Sequence, residues 1–366
     1  MDVKSVYGAQ KRKRRLFLLS TISLLAVTAV AGLCIGSEMV SFPDMLVSIG
    51  NALFPDIFEP AGRWQGPVVI ELYAPRVVMA ILAGFSLAIA GTVMQSTLRN
   101  PLVSPFTLGL SSAAGFGAAV GIVLGPALLG GSYAMGVTFL GMEFTLSNIF
   151  VTVLAFATGL LSTVVVLVIG KRMNTSRSVV ILTGVIVGYL FQAGITALKY
   201  VSGDDSLRGI TGWLMGRMWE VDWKAVVIAL PVVAVCSILI IKDSQVFNAI
   251  TAGDDVAKTL GVDVERFRRR SLIIITLAAS TCLAFTGIIG FIGLMAPHIC
   301  RMIIGNDQRF LVPVSGVLGA LILLVSDTVS RTILAPIEIP VGVIMYLLGG
   351  VFFIYLITRR NGRVLE

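Results

Sequence analysis

Charge is scarce in this sequence: 13% of its 366 residues are Asp, Glu, Lys or Arg, roughly half the share of a soluble domain. Histidine is scarcer still, with His298 alone, in "APHICR". The four cysteines, Cys34, Cys236, Cys282 and Cys300, fall within or beside apolar runs and show no CxxC spacing. These shortages exclude a disulfide framework and a thiol–imidazole metal cluster, and leave buried free thiols. No HExxH or paired-acid pattern occurs, so no constellation for hydrolysis or acid–base catalysis is present. The G-x-x-x-x-G-K-[ST] phosphate loop is also missing, so any ATP-driven work needs another polypeptide.

What is abundant is oil. Hydrophobic residues make up 56% of the chain, mean hydropathy is +0.94, and the apolar runs are long enough, at about 20 residues, to cross a hydrocarbon core as helices. The expected fold is an all-α integral membrane protein with about ten spans, near 16–35, 77–97, 104–125, 149–170, 179–200, 224–241, 271–288, 290–304, 311–331 and 340–358. The seventh and eighth touch at Gly287-Ile288-Ile289-Gly290, which demands a tight reversal or a broken helix. A basic cytoplasmic stretch 1–15 precedes one transmembrane domain, 16–358, and a tail 359–366 follows. The first run reads as a signal-anchor rather than a cleaved leader, although Ala29-Val30-Ala31 resembles a cleavage site. With the amino terminus inside, 21 of the 28 Lys and Arg residues lie on the cytoplasmic side, as the positive-inside rule requires. That asymmetry accounts for the net charge of +8 without nucleic acid, and it puts both termini inside.

Between the first two spans, Pro43 to Phe54 sets Met45, Leu46, Ile49 and Leu53 on one face of a short interfacial helix. Glycines, 38 in all, cluster as Gly109, Gly115, Gly117 and Gly121, a spacing that lets helices approach closely. "LAIAG" at 87–91 recurs loosely as "LAFTG" at 283–287, too little to establish an internal repeat. The anomaly is segment 242–270, polar within an apolar chain. Asp254 or Asp255 can cap a short helix, Val256 and Leu260 share a face at i and i+4, and Gly261 supplies the stop. Such a helix, of roughly seven residues, is unstable alone in water. It therefore docks, either on its own bundle or on a soluble partner. "ERFRRR" behind it reads as a positive anchor for the seventh span.

Three motifs, "LYAPRVVMAILAGFSLAIAGTVMQSTLRNPLVSPFTLGLSSAAGFGA" (72–118), "GDDVAKTLGV" (253–262) and "GIIGFIGLMAPHICRMIIGNDQRFLVPVSGVLGA…SDTVSRTILAPIEIPVGV" (287–343), resemble the FecCD family. These are permeases of binding-protein-dependent ABC importers for cobalamin, iron–siderophore complexes, haem and, in a few members, molybdate. The resemblance implies the type II importer architecture in the plasma membrane: a homodimer, two ABC ATPase subunits that bind ATP and magnesium, and an extracytoplasmic solute-binding protein. It assigns no cofactor to this chain.

Carried over residue by residue, the resemblance assigns ATPase coupling to Asn248, Gly253, Asp254, Asp255, Val256, Ala257, Leu260 and Gly261. Arg76 and Arg331 match arginines that dock the binding protein, with pairing of Arg331 to Asp327 as the alternative. Tyr73 stands where the cobalamin permease has a further arginine. Asn100 and Leu102 in "RNPL", with Thr175 and Ser176 in "NTSR", match a cytoplasmic gate, or cap helix ends. Pro297 and His298 shape the end of the eighth span. The leading cargo is an iron–siderophore and the alternative is cobalamin. A secondary transporter is the rival of another class; it requires ionisable groups deep in the spans, where this chain has little beyond Asp327 and Lys199.

Overall fold

The computed structural model describes residues 3–58, 62, 64–139, 141–172 and 177–358. The helices are α1 (Val3–Cys34), α2 (Phe42–Leu53), α3 (Ala74–Leu98), α4 (Leu110–Leu129), α5 (Leu146–Arg172), α6 (Arg177–Val201), α7 (Asp204–Leu214), α8 (Trp223–Lys242), α9 (Ser244–Ala252), α10 (Asp254–Thr259), α11 (Val264–Thr286), α12 (Ile292–Ile304), α13 (Gln308–Thr332) and α14 (Val341–Thr358). Among the described residues, nine helices are long and apolar enough to cross a membrane. The expected eighth span is instead α12, 13 residues long and only about 20 Å from end to end. It follows a break at 287–291 in which Gly287, Ile288, Ile289 and Gly290 are all buried. Non-helical backbone is tolerated at such depth because protein, not lipid, surrounds it.

The most deeply buried span runs from Gln65 to Leu98. After one α-helical turn, Gln65–Pro67, it runs as a π-helical stretch, Val68–Tyr73, and continues as α3, against which α8, α11, α12 and α13 pack. Lipid supplies no hydrophobic drive for this association, so close approach and polar pairs must supply it. A Cβ on Gly91 would lie 1.8 Å from the Gly293 carbonyl oxygen, and one on Gly84 2.4 Å from that of Gly319. Thr92 and Ser315 hydroxyls meet at 2.6 Å between α3 and α13. Thr163 and Thr276 do the same at 3.1 Å between α5 and α11.

The interfacial helix forms as α2, capped by Ser41, whose Oγ accepts from the Asp44 N–H. Its apolar face divides, because Met45 is buried in a cluster with Val40, Val69 and Tyr73 while Leu46 and Leu53 are exposed. Two elements have no counterpart in the sequence reading. One is α7, seated through Ile210 and Trp213; the other is a hairpin of β1 (Gly136–Phe139) and β2 (Met142–Thr145), with Gly136 opposite Thr145.

Candidate coupling and docking site

The polar segment folds as α9 and α10, joined at Gly253, whose φ of 149° only glycine adopts freely. Gly253 itself is the N-cap of α10, which corrects the expectation that Asp254 or Asp255 caps it; they occupy the first turn. There they still complement the helix dipole. Gly261 (φ 80°) ends the helix, donating to the Lys258 carbonyl at 2.9 Å while Val262 donates to Ala257 at 3.0 Å. The underside is apolar and dry: Phe247, Ile250, Ala257 and Val264 are buried, and Phe247 meets Phe267 edge-on at 5.1 Å. On the opposite face Val256 and Leu260 are 47% and 68% exposed, flanked by the exposed Asp255 and Lys258.

Asn248 is not on that open face. Its Nδ2 donates to Asp307 Oδ1 at 3.0 Å and its Oδ1 accepts from the Gln308 N–H at 2.8 Å, tying α9 to the start of α13. Gln308 Oε1 in turn accepts from Ser96 Oγ at 2.9 Å. Arg268 makes a second tie. The "ERFRRR" run is therefore not uniformly an outward anchor: Arg266, Arg269 and Arg270 are exposed, but Arg268 is buried, its Nη2 on Asp254 Oδ2 at 3.1 Å and its Nε on the Thr97 carbonyl at 3.2 Å. A third, Arg301, donates to Gln95 Oε1 at 2.9 Å. Gln95, Ser96 and Thr97, the last turn of α3, are thus each gripped by a different element.

That turn leads directly into "RNPL". Arg99 caps α3 in the left-handed region (φ 48°), a costly conformation for a residue with a Cβ. Leu102 N–H donates to Asn100 Oδ1 at 2.9 Å, fixing the turn, and Leu102 is 55% exposed. The segment then passes inward, with Val103, Ser104 and Pro105 buried. Phe291, in the buried break before α12, is the other non-glycine residue with positive φ among the described residues. Thr175 and Ser176 lie outside the described residues.

At the far end of the bundle the structure brings Arg76 and Arg331 together, buried rather than presented to solvent. Arg76 Nε donates to both Asp327 oxygens, at 2.8 and 3.1 Å, and its Nη1 to Glu338 Oε2 at 2.6 Å. Arg331 Nε sits 3.3 Å from Asp327 Oδ2, and its Nη2 donates to the Gly32 carbonyl at 3.0 Å. Tyr73 lies beneath the Arg331 guanidinium, 4.9 Å from ring centroid to Cζ, with its hydroxyl donating to the Glu38 carbonyl. Two cations and two carboxylates therefore neutralise one another, as burial requires. His298 is buried as well, edge-on to Phe352 and Phe353, and among the described residues no three metal-ligating side chains gather.

A helical bundle with nine membrane-length apolar helices among the described residues, a short helix after a buried break and a bundle-anchored pair of short helices is a multi-pass membrane fold. The family model described as the FecCD transport family matches residues 24–359, and the chain belongs to that family. It is 35% identical to an ABC transporter permease protein of Methanocaldococcus jannaschii over 100% of both chains. It is 32% identical to the hemin transport system permease protein HmuU of Yersinia pestis, over 95% of this chain and 96% of that one. Other relatives are named for cobalamin import in Halobacterium salinarum and Fe(3+)-citrate import in Bacillus subtilis. The solved structure of a metal-chelate type ABC transporter in an inward-facing conformation superposes with a TM-score of 0.78 at 27% identity, covering 94% of this chain and 99% of that one. The fold is accordingly that of a type II ABC importer permease.

Proposed function

We propose that this chain is the membrane permease of an ATP-driven metal-chelate importer, with an iron–siderophore as cargo, and that α9 and α10 seat the ATPase. The observation that carries the reading is the two-sided character of α10. Its outer face leaves Val256 and Leu260 bare, while Asn248 and Asp254 tie the pair of helices to Gln308 and Arg268, which in turn bond Ser96 and Thr97 in the last turn of α3. A surface loop with no partner does not need both. A rocking ATPase would push on α10, and Arg268 and Gln308 would carry the displacement to Thr97 and Ser96, and so to the Asn100–Leu102 turn.

The assembly read from the family is a homodimer with two ATPase subunits on the α9–α10 side and a solute-binding protein on the Arg76–Arg331 side, in the plasma membrane with both termini inside. For the binding protein to use Arg76 and Arg331, its acidic groups must compete with Asp327 and Glu338. Relatives named for hemin, cobalamin and Fe(3+)-citrate support the chelate class. Secondary transport is disfavoured because Asp327 is held by both arginines, leaving no free carboxylate there to carry a coupling proton. In proteoliposomes containing the permease, its ATPase and a loaded binding protein, uptake should require ATP, and Asp255→Lys with Leu260→Asp should abolish it without unfolding the bundle. Gradient-driven uptake without ATP would overturn the reading.

A further inference from the structure

A cavity of about 350 Å³ opens at the hairpin end of the bundle, between α5, α8 and α11. Its mouth carries Arg217, Glu220, Asp222 and Lys224, and its depth is lined by Phe156, Ile228, Val232 and Phe285. From Asp222 to Val232 along α8 is about 15 Å of rise, half of a hydrocarbon core of about 30 Å. The cavity is thus charged where headgroups lie and apolar over one leaflet. It communicates with the outside of the bundle, since the lining residues Val153 and Ile228 are 55% and 41% exposed. Trp219 and Trp223, each 40% exposed, stand beside the mouth, as aromatic residues do at the membrane interface.

The charges at the mouth are unusual in sign and satisfaction. Two ion pairs occupy it, Arg217–Glu220 at 2.5 Å and Lys224–Asp222 at 3.2 Å, so its net charge is zero. The Arg217 Nε–H is nevertheless buried without an acceptor, which costs free energy unless something accepts from it. The carboxylates retain open faces, with Glu220 and Asp222 side chains 45% and 48% exposed. We propose that this cavity holds one zwitterionic aminophospholipid, phosphatidylethanolamine. Its phosphate accepts from the Arg217 guanidinium and Lys224, its ammonium donates to Asp222 and Glu220, and one acyl chain fills the slot between Phe156, Val232 and Phe285. A purely anionic headgroup would face both carboxylates unpaired, and a choline headgroup has no N–H to donate.

Native mass spectrometry of the full chain in detergent, with equimolar phosphatidylethanolamine, phosphatidylcholine and phosphatidylglycerol of matched acyl chains, tests this. Retention of the ethanolamine lipid should exceed that of the choline lipid about tenfold, a difference of roughly 1.4 kcal/mol. Glu220→Gln, which removes a carboxylate that accepts from the ammonium, should shrink that preference, and Ile228→Trp, which fills the slot, should lower retention of every headgroup. Should either variant fold poorly, the ranking on the unsubstituted chain decides alone. Equal retention of all three lipids, a preference for phosphatidylglycerol, or disulfide-linked dimers formed through Ile228→Cys, which would mean that a second copy covers this face, would each overturn the proposal.

Discussion

Asp307 accepts from Arg14, Asn248 and Arg309 at once, and it sits in the turn between α12 and α13, outside the spans. Hydrogen bonds from Arg309, aided by that from Asn248, hold its carboxyl well below the usual carboxylate range against the opposing effect of burial. Its folded pKa is therefore lower than its unfolded one, near 3.9. The stabilisation is complete above about pH 4 and is lost as pH falls through the lowered value. Asp307→Asn should lower stability at pH 7 by roughly 1–3 kcal/mol, and melting curves in detergent from pH 8 to pH 3 should show the gap to the unsubstituted chain closing below about pH 4. A gap that stays constant at acid pH would mean that the carboxylate's charge is not what matters. Arg331 makes a second point at this scale. Tyr73 and Asp327 hold its guanidinium in place, so Tyr73→Leu should loosen the buried cluster and lower the melting temperature by several degrees, whereas Tyr73→Phe, which keeps the ring and loses only the hydroxyl's bonds to Glu38, should lower it less.

At the scale of elements, the bundle depends on backbone contact more than on side-chain volume. Gly91 and Gly293 let α3 and α12 touch, and overpacking a filled interface costs about 1–3 kcal/mol or more. Gly91→Ala should therefore reduce the yield of monodisperse protein by size-exclusion chromatography, while Gly131→Ala, with open space around it, should leave it unchanged. Long apolar runs made the spans legible in the sequence, and the polar island at 242–270 made α9 and α10 legible, because an amphipathic short helix needs a seat. α7 escaped notice although Asp204 and Asp205 open it and Ile210 and Trp213 recur at i and i+3; its mixed composition hid that spacing. The hairpin strands, at four residues each, are too short for alternation to register. In the sequence Arg268 is indistinguishable from its exposed neighbours, because its acceptor, the Thr97 carbonyl, lies 171 positions away, and no local pattern announces such a partner. The same holds for Arg76, whose burial against Asp327 follows from the packing of α3 on α13.

For the whole molecule, the two ends of the bundle carry different kinds of charge. One end presents an apolar and charged helix face, Val256 and Leu260 beside Asp255 and Lys258, with its anchoring groups buried beneath it. The other keeps Arg76, Asp327, Glu338 and Arg331 folded inward and mutually neutralised. In the proposed function, motion received at the first end opens a path through the bundle, and the line of force runs through Asn248–Gln308–Ser96 and Asp254–Arg268–Thr97 to the turn at Asn100. ATP hydrolysis and chelate uptake measured together, in the same proteoliposomes carrying Asn248→Ala with Arg268→Gln, test that line most directly. Hydrolysis should persist near the unsubstituted rate while chelate imported per ATP falls about tenfold, equivalent to roughly 1.4 kcal/mol of lost coupling. An unchanged ratio of uptake to hydrolysis would contradict it.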